Sequence, residues 1–392
     1  MTATSSILNE LASAHRAFDN DEPGSREALV EHSRALIASL EIPSEFLQRT
    51  FWAEPAQSPI IRMAVDVELF QHLQKASDGG LDAESLAQRT GMEVLLLQRL
   101  ARHLVAMNVL AYHDNTFHAT PLSNGLAAEN FRHSVSFCHD AARPSFNVFP
   151  QFFKENKYQS PTPGGADGPY QAAHSTKLPF FEWLVATPPN LQHFNSFMSA
   201  YRAGKPNWYD FYPVAERLID GFESSASDVL LVDVGGGRGH DMALFGNEFQ
   251  SRPGRIILQD REPKYWLVAR TYPSRHKPMT SLRRSLSGGA RAYSLHSILH
   301  DWSDKDGVKK LENLTPALKK GYSKVLFNEI VVHEEKPTLA ATSMDLMMLA
   351  HFGVRERTEA DWRAIFDKAG LKVVKIYSYP GVAGSLIETE LA

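Results

Sequence analysis

The chain has 392 residues, 43% of them hydrophobic and 22% charged, with 41 basic side chains against 45 acidic ones and a formal net charge of −4. That length suits two domains, an ordinary composition excludes collagen-like, coiled-coil and disordered classes, and the charge offers phosphate backbones and anionic membranes no global attraction. A single cysteine, Cys138, excludes an intrachain disulfide framework and a cysteine-rich zinc site, and it suits a reducing compartment.

No basic stretch leads into an apolar core at the N-terminus, and no apolar run reaches the roughly 18 to 20 residues that span a bilayer. The expectation is a soluble, cytoplasmic protein without a membrane partner. Apolar residues recur with helical period over Ser25–Leu40, and again over Ile60–Leu73 at Ile61, Ala64, Val65, Leu69 and Leu73. Asp82 then reads as an N-cap, Gly91 as a turn, and Leu97, Leu100, Ala101 and Leu104 as the stripe of a second helix. Val109–Tyr112 and Thr116–Ala119 flank Asp114-Asn115, the pattern of a hairpin that completes a winged helix. Such a fold can read DNA, but the second helix offers only Gln98, Arg99, Arg102 and His103, where phosphate neutralisation takes several Lys and Arg residues. Packing and dimerisation are favoured, with no nucleic-acid partner. The stretch Gln159–Pro169, rich in proline and glycine, is the natural seam, dividing the chain into 1–165 and 166–392.

Beyond it, an apolar strand runs from Val229 into Val-Asp-Val-Gly-Gly-Gly-Arg-Gly239, and a helical pattern follows. Glycine at 235, 236 and 237 lets a ligand touch backbone, and the helix start offers N–H groups, although a tight strand-to-helix turn needs glycine for structural reasons too. The next strand, Arg255–Asp260, ends in an acid about 20 residues on, where a carboxylate grips ribose hydroxyls. The third glycine of a dinucleotide fingerprint is replaced by His240, which argues against a pyrophosphate.

With Leu231–Gly239, Ser294–Asp304 (SLHSILHDWSD), Asp345–Leu349 and Glu356–Glu359 in this order, the chain resembles the plant and fungal, caffeate-type class of S-adenosylmethionine-dependent O-methyltransferases, in their secondary-metabolism branch. The resemblance implies an α/β fold: a C-terminal Rossmann-like methyltransferase domain with a doubly wound sheet, behind an N-terminal, mostly helical winged-helix dimerisation domain. It further implies a homodimer, S-adenosylmethionine as cofactor, no metal, and a small hydroxylated acceptor of aromatic or polyketide type. The helix of Phe194–Arg202 is implied to face the substrate.

Methyl transfer to a phenol of pKa about 10 requires a base, and a histidine of ordinary pKa about 6.5 can serve. By resemblance His300 is that base, and Glu329 and Glu356 are the flanking acids. Asp301 reads as a cap for the following helix. Met344, Met347 and Met348, like Trp183 and Phe197, fit either pocket or core.

Departures from the pattern cluster on the cofactor side. Thr280 stands where the family carries an acid, with Ser281 beside it, and His296 replaces a Lys or Arg four residues before His300. The positional set for the cofactor is therefore Gly235, Gly236, Gly237, Asp260, Thr280, Ser281 and His296. Because some fungal proteins of this fold are pericyclases, with a pocket arginine comparable to Arg202, a pericyclase or isomerase is the alternative; retention of His300 favours methyl transfer.

Overall fold

In the computed structural model, which describes residues 3–237, 239–260, 277–278 and 288–392, Asp82 caps the helix Ala83–Thr90 by accepting the Ser85 N–H at 2.7 Å, and Gly91 ends it at φ +71°. The partner helix, Val94–Ala106, buries Leu97, Ala101 and Leu104 on one stripe. Strands β1 (Leu110–His113) and β2 (Thr116–Ala119) pair antiparallel across a two-residue turn in which Asp114 and Asn115 are both left-handed, as a type I′ hairpin requires. The winged helix is thus present, one residue displaced at β1 from its expected start.

One sequence element divides. Ile60–Leu73 is not one helix: Glu54–Asp66 stops at Val67, and Leu69–Ala76 restarts after Glu68, which is left-handed at φ +54°. The break lets Ala64 and Val65 on one helix, and Leu69, Phe70 and Leu73 on the next, enter the same core with Leu86, Leu97, Leu104 and Phe117. Each of the larger of these side chains contributes about 1.5 to 3 kcal/mol of burial.

The described residues form two compact units. The first takes the chain up to Ala12, then Glu31–Pro150 and Ala173–Ala203; the second takes Ser13–Val30, Gln151–Ala172 and the described part of Gly204–Ala392. The chain therefore passes between units several times, and the Gln159–Pro169 stretch lies within the second. In the first unit the helix Asn190–Ala200 packs beside Glu129–Ser136, where His133 Nδ1 meets Ser196 Oγ at 2.9 Å and Phe137 lies 5.3 and 5.0 Å from the rings of Phe194 and Phe197.

The second unit is built on a sheet of eight strands among the described residues: β3 (Val229–Val234), β4 (Arg255–Asp260), β5 (Lys277–Pro278), β6 (Ala292–His296), β7 (Lys324–Val332), β8 (Arg357–Thr358), β9 (Leu371–Ser378) and β10 (Gly384–Leu391). The order is β5-β4-β3-β6-β7-β10-β9, with β8 added to β7; β3 to β8 run parallel and β10 is antiparallel to both neighbours. Helices cover both faces, which is why β3 opens with four apolar residues, Val229–Val232. Leu311, Leu314, Trp362 and Phe366 pack with one set of strand residues, and Trp208, Tyr212, Met242 and Phe245 with the other. Strand order reverses between β3 and β6, and in open α/β sheets ligands bind beyond the carboxyl ends at such a point. No described helix is long and apolar enough to cross a membrane.

Candidate active site

Beyond β3 the chain turns through three glycines, two of which sit in conformations that side chains resist. Gly235 has φ +81° and a Cβ there would lie 2.5 Å from Ile298 Cδ1; Gly237 has φ +56°. A Cβ on Gly236 would overlap the Asp233 carboxylate. The Gly237 N–H donates to Asp260 Oδ2 at 2.6 Å, so the acid at the tip of β4 is tied to the turn that it faces. Asp233, only 2% exposed, lies beneath; burial first, then the charges of Asp241 and Asp260, raise its carboxyl well above the ordinary range. His296, the last residue of β6, bonds through Nδ1 to Asp241 Oδ2 in the first turn of the helix His240–Glu248. Gly235, Gly236, Gly237, Asp260 and His296 thus gather around one turn at the switch point, while Thr280 and Ser281 lie outside the described residues. A bare-backbone cradle with a carboxylate opposite fits the adenosine-bearing cofactor expected there.

One strand over, β6 leads through Ser297, left-handed at φ +52°, into the short 3₁₀ turn Leu299–Asp301 that carries His300. Glu329 lies on the neighbouring β7, and Glu356 immediately precedes β8, which pairs with the end of β7. Three remote segments therefore meet. His300 Nδ1 is 2.8 Å from Glu356 Oε1, and both residues are buried. With Glu356 ionised, Nδ1–H is the donor in this bond. Nε2 lies 3.5 Å from Asp301 Oδ1.

Glu329 acts on backbone instead. Its Oε1 accepts the N–H groups of Ile298 at 2.9 Å and Leu299 at 2.8 Å, which holds the turn beneath the imidazole. Burial drives the Glu329 carboxyl up to about 7, helped by Glu356 and opposed by the His300 charge and the two backbone donors. At His300, burial favours the neutral ring, but Asp301, the bond to Glu356 and the charge of Glu329 together outweigh it and raise the imidazole to about 10.

Other expectations resolve in place. Ser303, not Asp301, caps the helix Asp304–Leu314, accepting the Asp306 N–H at 3.1 Å; Asp301 is inside the 3₁₀ turn, one residue pair too early to cap. Met348 is core, whereas Met344 and Met347 are half-buried. Trp183 and Phe197 are half-buried, with Trp183 4.3 Å from the His174 ring. Two contributors have no role in the sequence reading although they lie within quoted motifs. Asp345 Oδ1 accepts the Glu356 N–H at 2.7 Å, and Arg357 binds the carbonyls of Leu299 and Trp302. Arg357, directly after Glu356, carries no sequence sign of burial.

Residues 214–372 match the O-methyltransferase domain family and residues 55–129 the O-methyltransferase dimerisation domain family. The chain is similar to the O-methyltransferase mpaG' of Penicillium brevicompactum, 59% identical over 391 residues covering 99% of this chain and 98% of that protein. It is also similar to the mpaG O-methyltransferase of Penicillium roqueforti, 57% identical over 397 residues, covering 100% and 99%. Among solved structures, LepI in complex with S-adenosylmethionine shares the fold at TM-score 0.89 and 24% identity, covering 100% of both chains. OxaC in complex with sinefungin and meleagrin does so at TM-score 0.80 and 23% identity, covering 100% and 99%. A fold shared with a structure described as a pericyclic reaction enzyme, at 24% identity, does not choose between chemistries. Identity of 59% along almost the whole of both chains does, and it makes this chain a member of the S-adenosylmethionine-dependent O-methyltransferases of fungal secondary metabolism.

Proposed function

We propose that His300 is the general base of this methyltransferase, acting through Nε2 on the hydroxyl of a small aromatic or polyketide-type acceptor. Glu356 fixes the tautomer, and Glu329 fixes the turn. The observation that carries the reading is the 2.8 Å bond between His300 Nδ1 and Glu356 Oε1 inside a buried site. When bound, S-adenosylmethionine supplies a sulfonium methyl group open to displacement by an oxygen nucleophile. Gly235, Gly236, Gly237 and Asp260 hold it, with His296 beside them; Thr280 and Ser281 complete the proposed set. The carboxylates that stabilise the imidazolium bring its pKa near that of a phenol, so proton transfer from acceptor to Nε2 is close to thermoneutral.

We further infer a homodimer formed by the N-terminal part, residues 1–165, with residues 166–392 carrying catalysis. Exposed Phe51 and Trp52, at 64% and 69%, support a protein partner for the first unit. A cytoplasmic setting accords with the lone unpaired thiol of Cys138.

The test couples calorimetry to mass spectrometry. S-adenosylmethionine and S-adenosylhomocysteine are titrated into wild type and His300→Ala, and phenolic fungal metabolites are screened for addition of one methyl group. Both proteins are expected to bind both ligands, while His300→Ala lowers the single-turnover rate by about 10²- to 10⁴-fold. A variant that methylates at the wild-type rate would remove His300 as the base.

A further inference from the structure

The turn that carries His300 is too short to hold itself. A three-residue 3₁₀ segment has poor hydrogen-bond geometry; at its end the Trp302 N–H donates to the Leu299 carbonyl at 3.1 Å. Two buried charged side chains brace it further. Glu329 takes the N–H groups of Ile298 and Leu299, and Arg357 takes carbonyls: Nη1 donates to Leu299 O at 2.8 Å and Nη2 to Trp302 O at 2.6 Å. These carbonyls bracket His300, one residue before it and two after.

Arg357 is 1% exposed, its guanidinium lies 4.9 Å from the Trp362 ring centroid, and Nε donates to Asp304 Oδ1 at 2.9 Å. A buried guanidinium is costly to desolvate, and an ion pair alone does not explain this one, because its carboxylate partner is half exposed while its buried contacts are backbone carbonyls. Spanning two carbonyls at fixed separation needs a planar fork with several donors, which lysine lacks.

We propose that Arg357 is a positioning residue for methyl transfer: by pinning the carbonyls on either side of His300 it sets the direction of the imidazole on Glu356. Adjacent residues then divide the task, Glu356 holding the ring and Arg357 the backbone beneath it. The inference rests on His300 as the base, so its test reads the ring itself and needs no acceptor.

Full-length protein labelled with ¹⁵N-histidine is titrated by NMR, with His300 assigned by difference from His300→Gln, in wild type, Arg357→Lys and Asp304→Ala. In Arg357→Lys the Nδ1–H resonance is expected to broaden or vanish. The His300 titration midpoint is expected to fall by about one pH unit or more, because a ring turned from Glu356 loses the bond favouring its charged form. With any acceptor found in the screen above, kcat falls about tenfold while KM stays within about twofold. A merely structural arginine lowers the melting temperature and leaves the ring signals in place, and wild-type His300 signals in Arg357→Lys overturn the proposal. Should that variant not fold, Asp304→Ala decides: it removes the side-chain acceptor of Nε, is expected to move the same signals in the same direction, and wild-type signals there overturn the proposal. Unchanged ring signals leave the base assignment intact, whereas shifted signals with full methyl transfer in His300→Ala fell the base assignment and, with it, any role of Arg357 in the reaction.

Discussion

At the scale of single residues, the charge balance around His300 sets the pH response. With the imidazole raised to about 10, the neutral form that accepts a proton is scarce at neutral pH and grows about tenfold with each pH unit below that value. The rate at saturating acceptor is therefore expected to climb from pH 7 toward alkaline pH. Replacing Glu356 with Gln removes a carboxylate that favours the imidazolium, so the midpoint falls and the plateau is reached at lower pH. The plateau is also lower, by about tenfold or more, because the tautomer is no longer fixed. Stopped-flow or quenched single-turnover profiles check both parts, and an unmoved midpoint would take Glu356 out of the triad. The types and order of His300, Glu329 and Glu356 were legible from the motifs. Their division of labour was not, since only the pairing of β7 with β6 and β8 shows that Glu356 meets the ring and Glu329 the backbone.

At the scale of elements, the glycine turn after β3 is where the proposed cofactor site meets local backbone conformation. Gly236→Ala places a methyl group inside the Asp233 carboxylate, a buried group that cannot swing into water. The turn must shift, and calorimetric affinity for S-adenosylhomocysteine is expected to drop by at least about tenfold while far-UV circular dichroism stays native; unchanged affinity would place the cofactor away from this turn. Here the sequence was informative because a glycine run between an apolar strand and a helix has few structural meanings. The same holds for Asp114-Asn115, whose tolerance of left-handed backbone dictates the hairpin. It failed at Glu68, because a left-handed glutamate inside an apolar helical period is imposed by the core packing of Val65, Leu69 and Leu73. It failed again at Asp301, where helical spacing alone could not tell the 3₁₀ turn from the cap.

At the scale of the molecule, the second unit is tied across its sheet by one fully buried acid. Glu388 on β10 accepts from Lys324 Nζ on β7 at 2.5 Å and from Arg217 Nη2 at 2.5 Å, with the Tyr212 hydroxyl donating at 3.3 Å. These bonds hold its carboxyl below the ordinary range against the opposing effect of burial. Glu388→Gln leaves a lysine and an arginine without their counter-charge and is expected to cost about 3 to 5 kcal/mol in urea unfolding at pH 7. A midpoint within error of wild type would mean that the two cations find other partners. No sequence signal marked this cluster, since its members are separated by more than 170 residues at the widest.

The amino-acid sequence by itself determined what depends on short-range pattern: helical and strand periods, the glycine turn, the capped helix pair, and the motif order that carries the family resemblance. Only the tertiary structure decided what depends on long-range meeting. It decided which acid touches His300, that Arg357 is buried against the turn carrying His300, and that 151–172 and 173–203 belong to different units. The physical reason is that periodicity reports which face of an element is buried, whereas sheet register and the pairing of buried charges are set by segments far apart in the chain.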